Sequence, residues 1–392
     1  MEKFLFTDGE DICLYSDGAV EKFPSKFIQQ YKESVKNVER AKRWKHSGEG
    51  AQFRGDTVTA DEPSFESRIS GVHLSEDEKS VIYSFTINQT SGIYKFNFSD
   101  EKVPETHIIN SIEYQFSGGC LNGEAERLAT SLKRNYINSD IAVFNLKTGN
   151  YVTVTDGDTL DEDPYFSPEN ADVIYFSSRG AGRNMNGDFV GFSPAAICRL
   201  DLAAMDLQEV KSSDKFSYFK PVTHGGKLYA IKAPAKEKKP NIFLSILLIP
   251  FRFLQAIANL ITIFIHALTG KSVTSGGSNP AKGREYDSRK VYIRGNLVNV
   301  EKEMKKNAGK RDKDYGFVPQ SWQLVEVESE KVLASGVGDY DILSDGTIIY
   351  TNGRRIFALN NGKKTKLCNT ENCLSVSCKH TSVSSTDLFN IL

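Results

Sequence analysis

The feature that most constrains this chain is a repeated pattern of strand, turn and strand, because internal repeats decide a fold before other signals do. Its clearest copy runs from Asp161 to Gly180 and contains a short strand, the turn Ser167-Pro168 and a second strand rich in β-branched and aromatic residues. Pro168 presets φ for a turn, and Asn170 tolerates the left-handed region that the reversal needs. The segment therefore predicts a β-hairpin with one buried strand.

Weaker copies of this pattern occur on both sides of it, at residues 72–85, 221–231 and 340–350. An alternating hairpin strand follows each unit, at residues 93–98, 141–146, 197–202 and 356–360. Four strands per unit, repeating at roughly 40–50 residues, is typical of the blades of a β-propeller. We therefore expect an all-β fold built from such blades.

Residues 164–180 resemble the PD40 repeat, also called the WD40-like repeat, of TolB-like β-propellers. The family usually carries Asp-Gly where this copy has Glu169-Asn170, and Asp345-Gly346 restores that pair in a later copy. The resemblance covers most of the chain except two insertions, and it implies a propeller fold. It does not imply one function, because the partners of this family vary and a fold does not fix function.

The two ends of the chain predict how the ring closes. The first 23 residues contain three short strands, one fewer than a blade needs. Residues 373–378 are expected to supply the missing innermost strand, since such a joint removes exposed sheet edges. We therefore expect a six-bladed β-propeller closed by joining the N- and C-terminal strands. Its five other blades are expected at residues 65–110, 111–156, 157–212, 213–336 and 337–370.

The first insertion covers residues 24–45 and has helical spacing. Phe27, Tyr31, Val35 and Val38 fall on one side of the helix, and Ser25 is a candidate N-cap. We expect an amphipathic helix packed on the propeller. A helix that docks another protein is the alternative.

The second insertion divides a blade. It covers residues 236–318, so that the propeller would comprise residues 1–235 and 319–392. Its most unusual part is an apolar stretch, residues 241–269, which we predict to form an amphipathic helix. The apolar face, which would contact a membrane or an apolar partner, consists of Ile246, Leu247, Phe251, Phe253, Leu254, Ile257, Leu260, Ile261 and Phe264.

Polar residues in this stretch recur at steps of seven, three, four, three and four, which places them on one narrow stripe of a helix. The stripe consists of Ser245, Arg252, Gln255, Asn259, Thr262 and His266. Length alone would allow a membrane span, because about 20 apolar residues suffice. Arg252 at the centre of the hydrocarbon would cost about 2.5–3.5 kcal/mol, whereas a helix lying flat keeps the stripe in water.

Basic residues flank the stretch at Lys238, Lys239 and Lys271, and basic flanks favour an anionic cytosolic leaflet. We therefore expect an anchor that lies on the membrane surface. Two alternatives stay open. The stripe is a polar seam between copies in a spanning or oligomeric assembly, or the helix is buried against a protein partner or against its own propeller.

Acidic residues are candidates for the mouth of the central channel, where carboxylates bind a cation or a basic peptide, although turn and strand-entry roles are the alternative. They are Asp161, Glu162, Asp163 and Asp341. Near the C-terminus, Cys368, Cys373, Cys378 and His380 have the residue types of a zinc site, but their gaps of four, four and one residues do not match the usual pairs. No Gly-x-Ser-x-Gly, P-loop or dinucleotide motif is present, and we predict no metal and no cofactor.

Composition narrows the function. The chain has 49 Lys and Arg against 50 Asp and Glu, which argues against a general nucleic-acid binder. Acidic residues interrupt the N-terminus, so no signal peptide is expected, and the six scattered cysteines are expected to be reduced thiols in a cytosol.

We predict a non-catalytic cytosolic scaffold that recognises a protein or peptide and is peripheral on the inner face of a membrane. One alternative is a propeller enzyme, a lyase or hydrolase, working at the channel. Another is an oligomeric effector that perturbs membranes.

Overall fold

The computed structural model describes residues 3–43, 67–75, 77–98, 104–122, 126–235, 290–309 and 313–379. The first strands in chain order are β1 (Phe4–Asp8), β2 (Asp11–Ser16), β3 (Ala19–Pro24), β4 (Ser67–Leu74), β5 (Ser80–Ile87), β6 (Thr90–Asn97), β7 (Glu105–Ser111), β8 (Gln115–Asn122), β9 (Arg127–Lys133), β10 (Ser139–Asn145), β11 (Tyr151–Thr153), β12 (Thr159–Phe166) and β13 (Val173–Arg183). The later strands are β14 (Phe189–Phe192), β15 (Ala196–Asp201), β16 (Asp206–Lys211), β17 (Phe216–His224), β18 (Lys227–Pro234), β19 (Lys290–Ile293), β20 (Asn296–Asn299), β21 (Gln323–Glu326), β22 (Lys331–Ser335), β23 (Asp339–Ile342), β24 (Ile348–Thr351), β25 (Arg355–Asn360), β26 (Lys363–Asn369) and β27 (Val376–Cys378). Two helices are described, α1 (Lys26–Arg43) and α2 (Val300–Ala308).

The strands form an all-β, propeller-like arrangement of antiparallel sheets, as the repeat predicts. Four sheets have four strands each, in the orders β4-β5-β6-β7, β17-β18-β21-β22, β23-β24-β25-β26 and β27-β1-β2-β3. A fifth sheet has nine strands and contains β8 to β16. Within it, β8 to β11 and the set β12, β13, β15 and β16 are joined by one parallel bridge, Ser139 to Leu160. Each of the four four-stranded sheets corresponds to a predicted unit, and the nine-stranded sheet spans the two units predicted at residues 111–156 and 157–212.

The N- and C-terminal strands meet in one sheet, which confirms the predicted joint. β27 pairs antiparallel with β1, with Phe4 opposite Cys378 and Phe6 opposite Val376. The strand is shorter than expected and begins at Val376, while the backbone N–H of Cys373 donates to the carbonyl of Gly353 at 2.9 Å.

Two carboxylates of β23 hold the inner edge of β27. The N–H of Val376 donates to Asp339 Oδ2 at 2.7 Å, and the N–H of Cys378 donates to Asp341 Oδ2 at 2.8 Å. Because side chains two residues apart in a strand share a face, Asp339 and Asp341 reach alternate N–H groups of their neighbour. The acids thereby accept from N–H groups of β27 that no other described strand pairs with.

The sheet containing β18 is interrupted in sequence but continuous in space. β18 pairs directly with β21, with Ala230 opposite Val325 and Ile231 opposite Leu324, although residues 236–289 lie between them and outside the described chain. The returning chain forms the hairpin β19–β20, the helix α2 and residues 313–322. Ile293, Val298 and Phe317 from this returning chain are buried in one hydrophobic cluster with residues of the sheets.

Helix α2 follows directly on the strand β20 in the returning chain. Asn299 caps α2 by accepting from the N–H of Lys302 at 2.9 Å. At its other end Asn307 is buried and donates to the carbonyls of Gly316 and Val318 at 2.8 and 3.0 Å, so the helix is fastened to the segment that leads back to the sheet.

Helix α1 confirms the predicted first helix. Ser25 is its N-cap and accepts from the N–H of Ile28 at 3.2 Å, while the Glu105 carboxylate accepts from the N–H groups of Lys26 and Phe27. Ile28 is buried, and Phe27 and Tyr31 pack on the sheet of β4 to β7. The expectation for Val38 is wrong, because it is half exposed. A helix of 18 residues is about 27 Å long and extends beyond the sheet that covers its first turns.

Candidate functional site: the ring centre

The predicted membrane-contact residues, the polar stripe and the basic flanks lie within residues 238–271, outside the described chain. The structure therefore does not place them, and these predictions stay open. In the parts of the chain that are described, no helix combines the length and apolarity needed to cross a membrane.

The described chain has a distinct polar cluster where the innermost strands meet. Three consecutive innermost strands, β8, β12 and β17, each contain a β-bulge with positive φ. The residues with positive φ are Gly118 and Gly119 in β8, at 61° and 132°, Asp163 in β12, at 57°, and Lys220 in β17, at 46°. A bulge turns a side chain away from the regular alternation. In β12 and β17 it directs Asp163 and Lys220 toward each other and toward β23.

The hairpin β19–β20 inserts its tip into this cluster. Arg294 and Gly295 form its two-residue turn, both with positive φ, as a type I′ turn requires. The Arg294 guanidinium donates through Nη1 to Asp163 and through Nη2 to Asp339, and Nε donates to the carbonyl of Gly338 at 3.2 Å. A buried arginine is thus paired with two carboxylates from two different sheets.

The charge of Arg294 is fixed by its partners. Burial alone would lower the pKa of the guanidinium, but the carboxylates of Asp163 and Asp339 outweigh it and raise that pKa. The side chain of Asp339 is almost completely buried, and that of Arg294 is 9% exposed. Charge-assisted hydrogen bonds of this kind, one to each carboxylate, are stronger than hydrogen bonds between neutral groups.

Lys220 is the second cation of the cluster. Its Nζ donates to Asp339 Oδ2 at 2.8 Å and to the carbonyl of Val376 at 3.2 Å, and its backbone N–H donates to Asp163 Oδ2 at 3.2 Å. The hydroxyl of Tyr340 donates to the carbonyl of Lys220 at 2.9 Å. One residue therefore links the sheets of β12, β17, β23 and β27.

The third cation of the cluster, Arg179, lies directly under the hairpin tip. Arg179 donates to Glu162 Oε2 at 2.5 Å, and its guanidinium lies over the rings of Phe192 and Phe219 at 5.3 and 5.6 Å. Gly295 approaches this guanidinium so closely that a Cβ atom at its position would overlap it. Glycine is therefore favoured at this position by its positive φ, and a larger residue would have to displace the Arg179 guanidinium.

The four acids predicted for the channel mouth contact different groups in the structure. Glu162 and Asp163 belong to the cluster. Asp341 instead binds the N–H of Cys378, and Asp161 accepts from Ser178 Oγ at 2.6 Å, so both have structural partners. Burial raises the pKa of Asp161, although its hydroxyl donors oppose the shift.

Asp161 lines a cleft of about 270 Å³ between β11, β12, β13, β15 and β16. The lining includes the thiol of Cys198 and the apolar side chains of Phe176, Leu200 and Leu207. Burial raises the pKa of Cys198 to about 11, so this thiol is protonated and a poor nucleophile at neutral pH. Nothing in the cleft pairs an activated nucleophile with a base.

Among the C-terminal cysteines, Cys373 and Cys378 are buried and Cys368 is partly buried. Burial raises the pKa of Cys368 to about 11 and that of Cys373 further, and a thiol must ionise to bind zinc. His380 lies outside the described residues. Within the described ranges, no group of three His, Cys, Asp or Glu side chains is placed to hold a metal ion.

Sequence reasoning missed Lys220, Arg294 and Asp339. A signal for Arg294 exists, since Val291-Tyr292-Ile293 and Leu297-Val298 flank the dipeptide Arg294-Gly295 as two short strands flank a turn. The prediction treated all of residues 236–318 as an insertion outside the propeller, and so it did not look for a strand pair there. No sequence signal brings Lys220 and Asp339 together, because 119 positions separate them.

No family profile and no curated protein matches this chain. Among solved structures, it is similar to a TolB candidate from Agrobacterium tumefaciens, with 13% identity, a TM-score of 0.35, and coverage of 60% of this chain and 72% of that one. An oligogalacturonate lyase in complex with manganese has 10% identity and a TM-score of 0.39, and the match covers 76% of this chain and 64% of the lyase. The tricorn protease has 11% identity and a TM-score of 0.37, and the match covers 96% of this chain but 39% of the protease. Similarities this low carry no conclusion about function.

Proposed function

We propose that this chain is a non-catalytic β-propeller scaffold that recognises a protein or peptide and is attached to a membrane surface, or to an apolar partner, through residues 241–269. The proposal that the scaffold is non-catalytic rests on the ion pairs at the ring centre. Asp163 and Asp339, the acids best placed to act on a ligand there, are bound by Arg294 and Lys220 of the same chain.

An enzyme that works at a channel needs groups that are poised for its substrate, such as an acid and a base with pKa values moved toward neutrality. At this ring centre the carboxylates accept from buried cations and from backbone N–H groups instead. The hairpin tip also fills the space in which a substrate would contact them. This arrangement supports a structural role for the cluster.

We further propose that the ring has six blades and belongs to the TolB-like propellers with PD40 repeats. Four blades are the separate four-stranded sheets. The nine-stranded sheet would supply two more, because its two antiparallel sets are joined by a single parallel bridge and β14 is a side hairpin of β13. The joint of β27 with β1 would then close the ring.

The membrane half of the proposal is supported by sequence. Residues 241–269 combine a broad apolar face with one narrow polar stripe and basic flanks, which suits a helix lying in the headgroup region. A cytoplasmic protein held at the inner face of the membrane fits the basic flanks.

The test is flotation with vesicles of phosphatidylcholine and phosphatidylglycerol, comparing the full chain with a variant that lacks residues 241–269. We expect the full chain to float and the deletion variant to lose most of its vesicle binding. Unchanged thermal unfolding of the variant would show that the propeller is intact. Equal flotation of both proteins, or of neither, would contradict the anchor.

A matched pair of substitutions sharpens this test. Ile257 falls opposite the polar stripe on a helical wheel, whereas Asn259 lies within it. For a surface-lying helix, Ile257→Glu should weaken vesicle binding strongly and Asn259→Glu should change it little. If Asn259→Glu instead dissociates an oligomer, the polar seam is the better description. Dye release from the vesicles would indicate a membrane-perturbing assembly.

A further inference from the structure

One end of the described propeller presents large apolar side chains to solvent at the tips of its connections. Met185 is fully exposed, and Tyr136 and Val190 are 71% and 65% exposed. Leu297 and Tyr292 of the hairpin β19–β20 are 62% and 41% exposed. We refer to Tyr136, Met185, Val190, Tyr292 and Leu297 as the apolar tips.

The topology places the apolar tips at the same end of the propeller. They lie in connections that follow the second strand of a four-stranded set, after β9, β13 and β18. Second strands run in the same direction in every blade of a propeller, so these connections emerge on one face. The chain also leaves β18 at Ala235 on this face, and the described chain resumes at Lys290 in the hairpin β19–β20.

Side-chain contacts join the three connections into one surface. The rings of Tyr136 and Phe189 are 6.4 Å apart, and those of Phe189 and Phe192 are 4.9 Å apart. Lys133 Nζ lies 5.4 Å from the ring of Tyr292. The apolar tips therefore lie close together on one surface, and each side chain projects from that surface separately.

Charged side chains near the tips are paired. Arg183 pairs with the exposed Asp158, and Arg134, whose side chain is 47% exposed, pairs with the buried Asp140. These two arginines are therefore largely neutralised, although the guanidinium of Arg134 faces solvent. Two of the tips are tyrosines, whose apolar ring and polar hydroxyl suit the boundary between lipid and water.

We propose that this face is a membrane-contact surface, in which the apolar tips enter the headgroup region of a lipid layer. Separate apolar points, two of them tyrosines, fit a lipid layer better than a folded partner, which fills a continuous groove with a matching shape. The chain that contains the proposed anchor also leaves the described sheets on this face. The inference rests on the proposed membrane attachment, but it assigns part of the contact to the propeller itself.

The test uses two triple variants of the full chain with matched chemistry. The tip variant is Met185→Ser, Tyr136→Ser and Val190→Ser. The control variant is Met205→Ser, Leu207→Ser and Val332→Ser. It replaces exposed apolar residues at the opposite end, in the turn before β16 and near the starts of the fourth strands β16 and β22. Both are titrated with vesicles of phosphatidylcholine and phosphatidylglycerol, alone and combined with deletion of residues 241–269.

We expect the tip variant to partition onto vesicles roughly tenfold more weakly than the intact chain, and the control variant to stay within about twofold. If the tip variant binds vesicles as the intact chain does, the contact surface is wrong, even when the deletion of residues 241–269 abolishes binding and the proposed anchor holds. If the tip variant loses binding but the deletion variant does not, the surface is correct and the anchor is wrong.

A fluorophore attached at Met185→Cys provides a direct readout, because a probe that enters the headgroup region shifts its emission to the blue. The same probe at Lys147→Cys, in the turn after β10, should show no shift. A shift at both positions, or at neither, would overturn the proposed face. So would a tip variant that changes the oligomeric mass of the protein without changing its vesicle binding, since the tips would then contact a second copy.

Discussion

The ring centre and the apolar tips lie in adjoining parts of the described chain, but they differ in which side chains they bury and which they expose. At the centre, charged groups are buried and satisfied by one another, with Arg294 held between Asp163 and Asp339. At the tips, apolar groups such as Met185 are left in water. The centre thus contributes to stability and has little left to offer a ligand, whereas the tips contribute little to stability and are available for contact.

The largest effect on stability should come from the ring centre. Arg294→Ala should lower the free energy of unfolding by about 3–5 kcal/mol, because it leaves buried carboxylates without their cation. The matched control is Arg183→Ala, which breaks an exposed pair with Asp158 and should cost no more than about 1 kcal/mol. Urea unfolding followed by the fluorescence of the buried Trp322 measures both. Equal losses in the two variants would contradict the structural role of the centre.

The joint between the chain ends should come next. Asp341→Ala removes the acceptor for the N–H of Cys378, and an unsatisfied buried N–H costs about 1–3 kcal/mol. Amide hydrogen exchange in β27 and β1 should accelerate together in this variant. Asp345→Ala is the control, since Asp345 binds Thr347 within the same hairpin and should leave β27 unaffected. Unchanged exchange in β27 would mean that Asp341 does not hold the joint.

A half-exposed network between neighbouring sheets should contribute less and should depend on pH. Glu330 accepts from Lys211 Nζ at 2.6 Å and from the hydroxyl of Tyr218 at 2.8 Å, and it also pairs with Lys232. Burial opposes ionisation, but these donors outweigh it and lower the pKa of Glu330 to about 2. Because the side chain is 34% exposed, Glu330→Gln should cost only about 1 kcal/mol at pH 7.

The sign of the pH dependence follows from the lowered pKa. The stabilisation is complete above the ordinary glutamate pKa of 4.5 and is lost as the pH falls through about 2. The difference between the wild-type protein and Glu330→Gln should therefore shrink between pH 4.5 and 2 in urea titrations. A difference that stays constant over this range would show that the carboxylate is not held in its ionised form.

The smallest effect on stability should come from the apolar tips. Exposed side chains away from caps and cores usually change stability by no more than about 0.5 kcal/mol each. The triple substitution of Tyr136, Met185 and Val190 should therefore leave thermal unfolding nearly unchanged. A loss comparable to that of Arg294→Ala would mean that the tips are part of the core and would remove the contrast between the two regions.

The sequence predicts the repeating sheets well because they depend on local patterns. Alternating residues and turn dipeptides such as Asp345-Gly346 are read within a few positions, and these give the strands and their pairing partners. The pairing of β18 with β21 could also be predicted, because the blade pattern resumes at Leu324 after the insertion.

The ring centre could not be predicted, because it depends on long-range geometry. Asp163 and Lys220 meet only because bulges in β12 and β17 turn them inward. Both residues have positive φ although neither is a glycine, so the sequence contains no marker of these bulges. Arg294 reaches them from 74 positions beyond Lys220, across an insertion that has no blade pattern. Composition gave no hint either, since ion pairs at the centre and solvated charges at the surface have the same residue types.

The most direct test of this account is amide hydrogen exchange of the full chain with and without vesicles of phosphatidylcholine and phosphatidylglycerol. We predict slower exchange on vesicles in residues 133–138 and 183–190, and unchanged exchange at the Arg294 turn and in residues 202–205, the turn before β16 at the opposite end. Protection at the opposite end, or opening of the ring centre on vesicles, would contradict a scaffold that keeps its centre closed and meets the membrane with its tips.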